Sequence, residues 1–164
     1  MCSSDLHRRI EHRCALMERL VEHLAERGCD ADARATAGHI VRFFDEDVAR
    51  HQDDEELDFY DSVADAAPEK SRARVAALVA KLRVEHRELQ ALWADALRPQ
   101  LLAVQQGRSA YFGGKAVERC HQLYIQHTEC EEQDLIPLAE KHFSPAKLES
   151  LGRGMAARRG LPYP

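Results

Sequence analysis

Two stretches of this 164-residue chain carry the same arrangement of metal-binding groups. His51-Gln52-Asp53-Asp54-Glu55-Glu56 and His127-Thr128-Glu129-Cys130-Glu131-Glu132 both read His-x-x-x-Glu-Glu, and each is followed by an aspartate, Asp58 or Asp134. Residues four apart on a helix share a face, about 6 Å apart along the axis. His51 and Glu55 therefore point at one place, as do His127 and Glu131, and each pair offers a metal one imidazole nitrogen and one carboxylate oxygen. A lone histidine precedes each pair, within Glu11-His12-Arg13 and within Glu85-His86-Arg87. The chain thus repeats one ligand set in two halves, in the same order.

Four helical segments must position these groups. The first runs from about Ser4 to Arg27 and stops at Gly28. The second runs from about Asp30 to Ala66, with Ile40, Phe44, Val48 and His51 at helical spacing. The third follows Pro68, carries Val75, Leu78, Val79, Leu82, His86, Leu89 and Trp93, and ends near Gly107, with Pro99 as an earlier stop or kink. The fourth spans roughly Ser109 to His142, with Cys120, Leu123, His127, Glu131 and Leu138 on one stripe and a bend expected at Pro137. With no strand-like alternation, the expected fold is all-α: an up-down-up-down four-helix bundle over residues 1–143 with a short helical tail over 144–164.

Packing such a bundle would carry Glu55 and Glu131 into its core. An unpaired buried carboxylate costs several kcal/mol, and a metal pair removes that cost. Counted from the connecting turns, His86 and His127 lie equally far along antiparallel helices, roughly 30 Å from the turn near Gly107. On helix one, His7 matches the height of this layer as well as His12 or better. Only His12 has the repeated Glu-His-Arg context, and the repeat selects it. The expected metal ligands are His12, His51, Glu55, His86, His127 and Glu131. Asp58 and Asp134 either orient the ligand imidazoles or are solvated helix residues, and Trp93 and Tyr124 read as core, with a hydrogen bond from Tyr124 into the site as the alternative.

The remaining composition narrows the function. A net charge of −5 with scattered basic residues gives no electrostatic stripe for nucleic acid. No apolar run approaches a membrane span, and the N-terminus lacks a signal-peptide core. The five cysteines fit no disulfide or zinc-ribbon spacing and read as reduced thiols of a cytoplasmic protein. No catalytic triad or phosphate loop is present.

Taken together, Glu11-His12-Arg13, His51-x-x-x-Glu55-Glu56 with Leu57-Asp58-Phe59, Glu85-His86, and His127-x-x-x-Glu131-Glu132 with Leu135-Ile136-Pro137 resemble the hemerythrin-like family, in its bacterial HHE cation-binding branch. The resemblance implies two non-haem irons, bridged by Glu55, Glu131 and an oxo or hydroxo group. The pattern departs from the oxygen-carrying hemerythrins. Gln90 stands where their third helix has a second histidine, and Glu131 follows His127 by four residues where they have an aspartate after five. Fewer nitrogen ligands leave more open positions on the irons. The expected activity is therefore non-enzymatic binding or sensing of oxygen, nitric oxide or peroxide. The alternatives are an enzyme consuming peroxide or NO, and an iron storage or delivery protein.

Overall fold

The computed structural model describes residues 3–163; Met1, Cys2 and Pro164 lie outside the described residues. All regular structure among the described residues is helical, in five runs. The first helix, Ser3–Arg27, ends where Gly28 adopts φ +73°, a left-handed conformation that only glycine enters without strain. Asp30 caps the second run (31–66), its side chain accepting the Ala33 N–H. The third run (69–105) ends before Gly107, at φ +69°. The fourth (114–142) starts five residues later than the periodicity suggested. Over 109–113 the chain is irregular, tied by the Gly113 N–H to Gln100 Oε1 at 2.8 Å. The tail forms a helix longer than expected, Pro145–Arg158, capped by Ser144 onto the Lys147 N–H.

Neither internal proline ends its helix. Each sits just after a π-helical turn, Trp93–Leu97 before Pro99 and Glu131–Leu135 before Pro137. In these turns the backbone N–H reaches back five residues, Arg98 to Trp93 and Ile136 to Glu131. Two further π-helical turns occupy Phe43–Val48 and Glu55–Phe59 of the second run. Each such turn holds one residue more than an α-helical turn and so rotates everything after it by about 100°. This explains why Ala139, and not Leu138, takes the buried position beyond Glu131.

The chain forms two compact units. In the first, residues 1–49 and 85–128, Leu6, Ile10, Cys14, Met17, Leu20 and Leu24 of the first helix pack with Ile40, Phe44, Leu97, Leu101 and Val117. Phe44 stacks on Trp93, ring centroids 4.7 Å apart. Asp45 accepts hydrogen bonds from Trp93 Nε1 and Arg98 Nε, both at 3.0 Å, so the two π-helical turns of this unit are joined by one carboxylate. In the second, residues 50–84 and 129–164, Tyr60, Val63, Val75, Val79, Leu82, Leu135 and Ala139 form the core. No helix among the described residues is long and apolar enough to cross a membrane.

The Asp45 junction gives a direct expectation. Asp45→Ala removes a charged acceptor from a half-buried indole N–H and should cost about 2 kcal/mol, measured by denaturant unfolding of the metal-free protein. An unchanged midpoint would mean that the junction contributes no stability.

Candidate metal centre

On the first helix the buried positions are Leu6, His7, Ile10, Cys14, Met17, Leu20 and Leu24, a stripe of helical period. His7 lies three and seven residues before Ile10 and Cys14, and is 5% exposed. His12 lies two residues from both Ile10 and Cys14, turned roughly 200° away on a regular helix, and is exposed. The structure therefore does not bring His12 to the other candidates. Burial at this height follows the apolar stripe and not the Glu-His-Arg repeat.

Both glutamates begin π-helical turns. Glu55 opens Glu55–Phe59 and Glu131 opens Glu131–Leu135, and both side chains are almost fully buried. A π-helical turn at the same place in each half re-aims side chains without ending the helix, a placement frequent at functional sites. Within the second unit, His51 Nε2 and Glu55 Oε1 are 2.9 Å apart, and the buried Tyr60 hydroxyl donates to Glu131 Oε1 at 2.7 Å. Burial first, and then the charges of Glu55 and Glu131, push the Tyr60 phenol far above its ordinary pKa. The hydroxyl accordingly remains a neutral donor. Within the first unit, the His86 and His127 rings lie with centroids 4.5 Å apart, and His127 Nδ1 is 3.1 Å from Glu85 Oε2. With its proton on Nδ1, His127 donates to Glu85 and leaves the Nε2 lone pair for coordination.

Two groups of four side chains could each hold a metal ion: His7, His51, Glu55 and Glu131, and His86, His127, Glu55 and Glu131. In each group the ligand-type atoms all lie within 4.8 Å of one another, and all the residues are buried or nearly so. Both groups contain Glu55 and Glu131, so two carboxylates are common to two candidate positions. The donors are imidazole nitrogens and carboxylate oxygens with no thiolate. This set suits iron or manganese with open positions better than a closed structural zinc site, and the residues present fit a pair of such cations.

Several of the other sequence candidates have partners of their own. Asp58 pairs with Arg158 and Asp134 with Arg74, so the carboxylate beside the His127 imidazole is Glu85. Tyr124 is buried against Phe44, and Trp93 donates to Asp45. Cys14 and Cys120 are buried in the first unit. Hydrogen bonding to Cys120, together with burial, pushes the Cys14 thiol well above its ordinary value, which keeps it protonated and apolar in character. His121 pairs with Glu18 and His23 with Asp30.

With this geometry in view, the comparisons with known proteins agree. Residues 4–139 match the hemerythrin HHE cation-binding domain, and the chain belongs to that family. It has the family's all-α, hemerythrin-like fold. The chain is also similar to an uncharacterized protein of Haemophilus influenzae, 26% identical over 153 residues, covering 93% of this chain and 85% of the relative. Membership implies binding of a metal cation, for which the two groups supply candidate ligands.

Sequence reasoning missed Tyr60 and Glu85. Tyr60 lies beyond the π-helical turn, where α-helical counting puts it on the wrong face. Tyr60→Phe keeps the ring and removes the hydrogen bond to a buried carboxylate, and should destabilise the metal-free protein by about 2 kcal/mol. Denaturant unfolding checks this, and a loss below a few tenths would remove Tyr60 from any role in holding Glu131.

Proposed function

We propose that this is a cytoplasmic protein holding two iron ions, one by His7 and His51, the other by His86 and His127, with Glu55 and Glu131 bridging both. The observation that carries the reading is the pair of four-residue groups sharing the two glutamates. Each half of the repeat then contributes two histidines to its own cation and one glutamate to both.

Four protein ligands per cation would leave positions open on a metal that prefers more. When bound, the irons would supply an electron-rich centre open to a small diatomic or peroxide ligand. The chain's own part is binding and orientation. Glu85 fixes the His127 tautomer, and Tyr60 holds one oxygen of Glu131. Binding or sensing of oxygen, nitric oxide or peroxide is the function that this arrangement supports best.

Protein produced with iron available should contain about two irons per chain, measured by metal analysis. A ratio near one, or zinc retained under iron-rich conditions, would count against the shared carboxylates. His7→Ala should lower iron content by about half or more, since one of the two positions loses a ligand. His12→Ala should leave it unchanged. The opposite pattern would restore His12 and reject the geometric grouping. Mixed with peroxide or NO, the iron-loaded protein should bind without sustained consumption. Multiple turnovers would make it an enzyme instead.

A further inference from the structure

Asp54 stands immediately before Glu55 and is only 4% exposed. A carboxylate so deeply buried needs opposing charge, and it comes from the end of the C-terminal helix. Arg158 Nε donates to Asp54 Oδ1 at 2.9 Å, and Arg159 contacts Asp54 Oδ2 at 2.5 Å. Arg158 also reaches Asp58 Oδ2 at 2.6 Å. One guanidinium therefore joins the residue before Glu55 to a residue inside the π-helical turn that Glu55 opens. The approach is close because residue 154 is glycine: a Cβ there would stand 3.0 Å from Asp58 Oδ2. This helix lies beyond residues 4–139 that match the family.

Two aspartates one turn apart repel each other, and a π-helical turn is intrinsically less favourable than an α-helical one. The bridging guanidinium offsets both. We propose that Arg158, supported by Arg159, is a positioning residue for the His51–Glu55 pair. By tying Asp54 to Asp58 it holds the π-helical turn in the register that presents the Glu55 carboxylate. This rests on the metal reading above. Charge alone predicts the reverse effect, because removing an arginine beside a buried carboxylate should attract a cation more strongly.

The test uses the full chain with Arg158→Ala, Arg158→Lys and, as control, Arg153→Ala, whose guanidinium pairs with Glu149 on the exposed side of the same helix. Fe(II)-loaded protein is challenged with a chelator, and the ligand-field absorption of Co(II)-loaded protein is recorded at saturation. Arg158→Ala should release iron about tenfold faster and alter the Co(II) spectrum, while Arg153→Ala matches the unsubstituted protein. Arg158→Lys keeps the charge and supports folding, but its compact ammonium lacks the rigid planar fork of N–H groups with which Arg158 spans Asp54 and Asp58. It should therefore still show faster release and the altered spectrum. Release that is unchanged or slower in Arg158→Ala, or restored by Lys, overturns the proposal. If the unsubstituted protein takes up neither metal, the metal reading has failed. Amide hydrogen exchange over residues 51–59 of the metal-free Arg158→Lys protein then decides the clamp separately: faster exchange supports it, unchanged exchange overturns it.

Discussion

Two carboxylates in an apolar interior set the terms for the rest of this molecule. Glu55 and Glu131 are almost completely shielded from water, and an ionised carboxylate in such surroundings is tolerated only among donors or positive charge. The neighbouring groups answer that demand. A tyrosine hydroxyl donates to one glutamate, a histidine stands one turn before each, and two more histidines complete the groups in which both glutamates occur. The apolar stripes bring the carboxylates inside, and the imidazoles make their burial affordable on the proposed reading, in which two cations sit among them.

Much of this was legible from residue types and spacing, for identifiable reasons. Long amphipathic stripes and Gly28 marked the first helix to within a residue, because a 3.6-residue period and a left-handed glycine are strong local signals. The His-x-x-x-Glu pairs were legible because four residues close one turn of helix. His7 was not chosen, because the Glu-His-Arg context outweighed a stripe whose register was visible in Ile10 and Cys14. Tyr60, Ala139 and the continuity through Pro99 and Pro137 were hidden by a common cause. A π-helical turn has no compositional signature, and every face assigned beyond it by α-helical counting is off by about 100°. The glutamates that open those turns were among the sequence candidates; the residues after them were not.

The two halves repeat their histidines and glutamates but not their surroundings. Tyr60 supports Glu131, while its counterpart in the second half is Ile136, which has no hydroxyl. Glu85 steadies His127, whereas its counterpart Glu11 sits on the exposed side of the first helix beside His12. The C-terminal arginines contact the His51–Glu55 turn, whereas Asp134 of the His127–Glu131 turn pairs with the exposed Arg74. Two positions built from matching donors thus stand in unequal polar environments. In the proposed centre, the two cations would differ in affinity and in reactivity.

The π-helical turns at Glu55 and Glu131 also bear on how such a site can change over evolutionary time. Each is equivalent to one inserted residue in an otherwise regular helix. Loss of a single codon within either turn would restore α-helical winding while leaving the segment beyond it on the same face. Residues on either side of the turn, Tyr60 among them, would keep their direction. Only the residues inside the turn, the glutamate that opens it included, would be re-aimed. Single-codon insertion and deletion therefore give this architecture a local adjustment of its candidate centre, one that substitution alone does not provide.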